Sequence, residues 1–191
     1  MLITYTIADS PLGRLLVAST AQGLCAVSMA DVDATLEAAL RADYPQATLT
    51  PAASPLPALA TLLAYLVGQT TNLDLPVDVA ATPFQQRVWQ ALRAIPYGQT
   101  RTYTQIATDL GNPNAARAVG RACATNRVAL VIPCHRAVGS GGTLHGFRWG
   151  LNRKRALLDL ERLGAMKELT EYMEPNHKQA LLDLEREILD A

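Results

Sequence analysis

The chain has 191 residues, 49% of them apolar, and a formal net charge of zero, which suits one or two domains with a real core and excludes a disordered chain. No apolar run approaches the roughly 20 residues of a membrane-spanning helix, and "MLITYTIADSPLG" lacks the basic start of a signal peptide. Three cysteines make an odd number without a Cys-x-x-Cys pair, and the histidines are scattered; a reducing cytoplasmic setting is expected, with no disulfide framework, metal, cofactor or membrane partner.

"LITYTIADSPLGRLLVASTAQGLCAVSMA" reads as three short strands punctuated by turns at 10–13 and 21–23. "DVDATLEAALRADYP" follows as a helix. Leu36, Ala39 and Leu40 share its face, Asp31 or Asp33 is placed to cap it, and Pro45 stops it. A second apolar helix covers 55–69 and closes at Gly68. "LDLPVDV" alternates and is expected to add a strand. Residues 1–81 thus form a small α+β domain without evident chemistry. Cys25 falls in a strand pattern and reads as a buried structural thiol.

Composition changes near residue 82. Residues 1–85 carry 2 basic against 7 acidic side chains, residues 86–164 carry 12 against 3, and residues 165–191 carry 3 against 7. A basic block between two acidic ones points to a polyanion, most simply nucleic acid. Thr82-Pro83 has the order of an N-cap followed by proline at N1, with Phe84, Val88 and Leu92 on one face beside Trp89. In "TYTQIATDLGNPNAARAVGRACATN", Thr102 can cap a short helix. The chain turns at 111–113, and a second helix runs from about 114 to 124. Helix, short Gly-containing turn, helix is the pattern of a helix-turn-helix. The second helix is rich in small residues around the i,i+4 pair Arg117 and Arg121. Mid-helix glycine costs about 1 kcal/mol relative to alanine, so Gly120 implies either tight helix packing or close approach by a partner. Cys123 reads as a small packing residue.

After "VALVIP" come Cys134, His135 and Arg136. A free thiol has a pKa near about 8.5 and is mostly protonated at neutral pH. A histidine can take its proton, and a carboxylate can orient the histidine. Adjacent side chains of an extended segment point apart, so Cys134 and His135 must share a turn or communicate through water. Glu161 is a candidate orienter, though spacing alone does not choose it over Asp159. "GSGGTLHGFRWG" is a glycine-rich loop. "LNRKRALLDLERLGA" is an amphipathic helix, with Leu151, Leu157, Leu158 and Leu160 inward and Gly164 as its C′ residue. "KRALLDLERLGA" is echoed by "KQALLDLEREILDA" at 178–191, so 165–191 is expected to be an acidic helical extension.

"IPCHR", preceded by "PYGQTRTYTQIA" and "RAVGRACATN" and followed by "HGFRWG" and "LLDLE", closely resembles the DNA repair alkyltransferases acting on 6-O-alkylguanine, specifically methylated-DNA–protein-cysteine methyltransferases of the stand-alone bacterial type. The dense match covers about 82–163. The resemblance implies an α+β protein with a ribonuclease-H-like domain at 1–81, built on a small antiparallel sheet with helices. It implies a mostly helical, winged-helix-like domain with a helix-turn-helix at 82–164. By the same likeness, Cys134 accepts the alkyl group of 6-O-methylguanine, and of 4-O-methylthymine, irreversibly. His135 acts as base through a water, Glu161 orients it, and Asn126 holds the turn that positions the cysteine. Tyr103 protonates the departing guanine, and Lys154 assists electrostatically. Arg117 fills the gap left by the extruded nucleotide, while Ala115, Ala116 and Gly120 let the helix enter the minor groove of double-stranded DNA. Thr104, Asn112 and Ser140 fall at backbone contacts. Gly146, Phe147 and Arg148 line the alkyl pocket, where many relatives carry tyrosine at the Phe147 position. A single-turnover monomer is implied. A non-catalytic alkylated-DNA recognition module is the alternative, and a cysteine hydrolase lacks an evident oxyanion-hole motif.

Overall fold

The computed structural model describes residues 1–171; the echo at 178–191, like the rest of the expected extension beyond 171, lies outside the described residues. Strands β1 (Leu2–Ser10), β2 (Gly13–Ser19) and β3 (Leu24–Ala30) form the expected antiparallel meander. A fourth strand, β4 (Thr48–Pro51), adds to β1 in parallel, with Leu2 opposite Thr48. The sheet is therefore mixed, in the order β3-β2-β1-β4, and not purely antiparallel as expected. Four residues ending in proline were too short a signal for a strand.

Alternation along the meander gives the sheet two apolar faces. Ile3, Tyr5, Leu16 and Ala18 pack with Leu36 and Leu40 of α1 (Asp33–Asp43). Leu15, Val17 and Val27 face the other way. They join a larger core with α2 (Pro57–Leu66), α3 (Pro83–Arg93) and the chain beyond. That core runs across the boundary at residue 81.

Some local expectations change. The N-cap of α1 is Val32, without a side-chain cap. Asp31 and Asp33 do not cap because each binds an arginine instead, Arg153 and Arg14 respectively, at 2.5 Å. "LDLPVDV" forms no strand; it makes one isolated parallel bridge, Leu24 to Val77. Pro76 lacks an amide hydrogen and can only accept, from the Leu24 amide at 2.8 Å.

Both predicted caps of the basic half are present. Thr82 and Thr102 each accept from the backbone of a glutamine three residues on, whose side chain returns the bond, giving two capping boxes. Thr102 starts α4 (Tyr103–Asp109) directly after the two-residue strand β5 (Arg101–Thr102). Gly111 then takes a φ of +81°, the chain turns, and α5 (Ala116–Ala124) follows a single 3-10 turn. Val119 and Ala122 seat α5, and the Trp89 indole donates to the Ala122 carbonyl at 2.9 Å. The two-residue strand β6 (Ala137–Val138) pairs with β5 in parallel.

The last helix, α6 (Leu151–Glu171), does not end at Gly164 as expected. Tyr97 explains the glycine: a Cβ on Gly164 would lie 2.7 Å from the Tyr97 hydroxyl oxygen. The inward face also differs from the leucine stripe. Leu157 is buried, but Leu151 is 44% exposed, and among the described residues the other fully buried side chains of α6 are Lys154 and Glu161.

The charge blocks find each other in the fold. Asp43 meets Arg148 and Arg127, Asp31 meets Arg153, and Asp74 meets Arg93, all between the acidic first half and the basic second half. Much of the positive excess is therefore internal to the chain. Arg117 and Arg121 on α5 are exposed and take part in no ion pair among the described residues.

Candidate active site

Cys134 opens a 3-10 turn, Cys134–Arg136, so it and His135 do not sit in an extended segment. The loop before it is held by Asn126, whose side-chain amide donates to the Ile132 carbonyl at 2.8 Å and whose oxygen accepts from the Val128 amide at 3.1 Å. Within this loop Leu130 takes a φ of +75°, an uncommon conformation for a non-glycine residue. The Asn126 bonds span the loop and fix the approach to the cysteine.

His135 is fully buried, with Nε2 2.5 Å from Glu161 Oε1. Glu161 collects donors from three segments. Arg136 Nε donates to both carboxylate oxygens at 3.1 and 2.8 Å, the Gly98 amide donates to Oε2 at 3.1 Å, and the Tyr65 hydroxyl donates to Oε1. Burial by itself would raise the Glu161 carboxyl, but the His135 and Arg136 hydrogen bonds hold it at about 2. Burial pushes His135 down despite Glu161, so the ring is neutral. A neutral ring beside an ionised carboxylate carries its proton on Nε2. Nδ1 then holds the free lone pair, and it is buried without a hydrogen-bond partner among the described residues.

Asp159, the rival orienter, sits on the surface with Arg162. The choice between them is geometric. Glu161 lies seven residues after Lys154, two helical turns, on the inward face.

Lys154 Nζ donates to the Ala137 carbonyl at 2.7 Å, the His145 carbonyl at 3.1 Å and the Tyr103 hydroxyl at 3.3 Å. Burial lowers the Lys154 ammonium and raises the Tyr103 phenol to about 12, so the phenol is protonated at neutral pH. Burial also raises the Cys134 thiol, while Asn126 and Lys154 pull it back.

Cys134 faces a cavity of about 660 Å³. Its lining includes Tyr103, Thr104, Ala116, Arg117 and Gly120 from α4 and α5, and Ser140, Gly146, Phe147 and Arg148 from the later loop. Among the described residues, a Cβ on Gly120 would meet no atom within 4 Å beyond its own helical backbone, so internal packing does not account for that glycine. Ala115 packs partly against the core, and Asn112 is exposed on the turn before α5; neither lines the cavity. Cys123, expected only to pack, lines the cavity as well. Cys25 is buried in its strand as expected, its thiol pushed up to about 11 by burial.

Sequence reasoning missed Tyr65, Gly98 and the role of Arg136. Tyr65 stands 96 positions from Glu161, and no local pattern links them. Gly98 had a signal in "PYG". Its φ is +75°, and a Cβ there would lie 2.5 Å from the Ala165 Cβ, so only glycine lets the amide reach Glu161.

The chain matches two family models: 6-O-methylguanine DNA methyltransferase, DNA binding domain, over 83–163, and the ribonuclease-like domain of the same enzyme over 3–79. It is 43% identical over 169 residues to a methylated-DNA–protein-cysteine methyltransferase of Mycobacterium tuberculosis, covering 88% of this chain and 98% of that one. It is 47% identical over 160 residues to the bifunctional transcriptional activator/DNA repair enzyme Ada of Escherichia coli, covering 83% of this chain but 45% of Ada. The chain thus spans less than half the length of Ada. The crystal structure of Mycobacterium tuberculosis OGT in complex with DNA superposes with a TM-score of 0.72 at 39% identity, covering 86% of this chain and 94% of that one.

Proposed function

Since the chain belongs to the 6-O-methylguanine DNA methyltransferase family, we propose that it repairs DNA by direct reversal, moving the alkyl group of 6-O-methylguanine onto Cys134. The observation that carries this reading is the buried Glu161–His135 pair, which leaves Nδ1 as a bare acceptor on the residue that follows the buried, cavity-lining Cys134.

Nδ1 accepts the Cys134 proton through a bridging water, and Glu161 stabilises the imidazolium that forms. The thiolate sulfur attacks the alkyl carbon. A C–S bond forms, the carbon–oxygen bond to guanine breaks, and the electron pair leaves on the base. Tyr103 supplies a proton to the departing guanine, and the Lys154 ammonium at 3.3 Å stabilises the phenolate left behind. The thioether has no leaving group for a second half-reaction, so each molecule acts once.

The base must leave the stack to reach Cys134, at a cost of a few kcal/mol. Arg117 occupies the gap, and α5 approaches through the minor groove with Ala116 and Gly120 foremost. Thr104, Asn112 and Ser140 contact the backbone. Phe147 and Arg148 bound the alkyl pocket. One copy holds every group named here, which supports action as a monomer, and the three free cysteines fit the cytoplasm.

The test is intact-mass measurement after incubation with a duplex containing 6-O-methylguanine. A gain of one methyl, absent in Cys134→Ala, supports repair. Binding without any mass gain overturns it in favour of damage recognition alone.

A further inference from the structure

Two segments that contribute to the cavity lining, around Asn126 and around Phe147, are anchored to the first half of the chain at one carboxylate. Asp43, the last residue of α1, lies 2.6 Å from Arg148 and 3.6 Å from Arg127. Arg148 follows Phe147 in the cavity wall. Arg127 follows Asn126, which spans the loop leading to Cys134. The next residue of the first half, Tyr44, lies under the Arg127 guanidinium at 5.0 Å and donates its hydroxyl to the Cys25 carbonyl at 2.7 Å. The Asp43 side chain is 21% exposed, so water screens these ion pairs only in part.

Neighbouring contacts hold the same two segments. The Val27 amide of β3 donates to the Arg127 carbonyl at 2.8 Å. The Trp149 indole donates to Ser28 Oγ at 3.2 Å and packs edge-on against Phe147 with ring centroids 5.2 Å apart. These contacts set the approximate docking. Asp43 is the side chain whose charge touches both segments at once.

We propose that Asp43 is a positioning residue for alkyl transfer. It clamps the Asn126–Arg127 turn and the Phe147–Arg148 wall in one geometry, so that the alkyl carbon sits in line with the Cys134 sulfur. This rests on the repair reading above. It gives the N-terminal domain a task in the chemistry, although that domain supplies no group to the cavity wall. A misplacement of about 1 Å at a reacting centre can cost about 100-fold in rate, so even a modest clamp has a measurable effect.

The test is single-turnover methyl transfer from a 6-O-methylguanine duplex at saturating protein, read by intact mass. Asp43→Asn is expected to slow the saturating rate by about fivefold or more. Its affinity for unmodified duplex is expected to be retained or raised, since the substitution frees two arginines and removes none. Asp43→Glu recovers the rate. Asp31→Asn loses a more exposed pair between the two halves of the chain, with Arg153 away from the cavity, and keeps the rate. A wild-type rate in Asp43→Asn, or an equal loss in Asp31→Asn, overturns the clamp. If Asp43→Asn does not fold, Arg127→Gln breaks the clamp from its other side and carries the same expectation for the rate. Wild-type protein that gains no methyl overturns the repair reading instead.

Discussion

His135 Nε2 and Glu161 Oε1 are 2.5 Å apart, and both side chains are fully buried. A histidine–carboxylate pair on a surface would be worth little. Here the carboxylate also neutralises Arg136 and accepts from Tyr65 and the Gly98 amide. One side chain thus joins the end of α2, the turn after α3, the cysteine turn and α6. The groups that orient His135 also hold the two halves of the chain together.

Glu161→Gln should therefore damage stability and chemistry together. It keeps the shape but leaves the Arg136 guanidinium buried without a counter-charge, at a cost of about 3–5 kcal/mol. Urea denaturation measures that loss. Methyl transfer, measured well below the melting temperature, should fall by about 100-fold or more, because the imidazolium loses its partner. A variant with wild-type stability would contradict the buried Arg136–Glu161 pair.

Acid should weaken the fold in two stages. The Glu161 carboxyl is held at about 2 against an ordinary value of 4.5. Its contribution is present above 4.5 and is lost as the pH falls from there toward 2. His135 is pushed below its ordinary 6.5 by burial. The unfolded chain takes up that proton first, so stability also falls as the pH drops below 6.5. Urea midpoints should decline from pH 6.5 downward, and Glu161→Gln should lack the stage below 4.5. A flat wild-type profile across both ranges would oppose these assignments.

Gly164→Ala tests the passage of Tyr97 against α6. Alanine is the better helix former by about 1 kcal/mol. The added Cβ would meet the Tyr97 ring at 2.9 Å. Tyr97 is packed edge-on against Tyr65 and lies beneath the Arg136 guanidinium, so it cannot swing away without disturbing the Glu161 cluster. A net destabilisation of about 1–3 kcal/mol is expected from the overpacking, visible in thermal melting. A stabilised variant would show that the ring yields freely.

Arg117→Ala should separate extrusion from chemistry. Transfer from duplex should slow by about 10–100-fold, the equivalent of about 1–3 kcal/mol. The reaction of Cys134 with a free alkylated base should stay near the wild-type rate. Equal losses on both substrates would place Arg117 in the chemistry and not in extrusion.

The reading from sequence reached far where the signal was local. The two capping boxes, the β-meander, the turn at Gly111 and the motif around Cys134 all lie within a few residues of their cause. It failed where a partner is remote. The Asp31 and Asp33 caps gave way to arginines, β4 needed β1 beside it, and Gly164 answered to Tyr97 instead of ending a helix.

The sequence by itself determined the Cys134–His135 neighbours, the small-residue basic helix and the family resemblance. It also displayed the charge blocks but not their use, because a net count cannot tell an arginine facing solvent from one facing an aspartate. Only the tertiary structure selected Glu161 over Asp159. Two residues on one helix differ by 200° about its axis, and which of them is buried depends on what α6 packs against. Burial then decides the chemistry, because a carboxylate shielded from water can govern the proton of a histidine and one in solvent cannot.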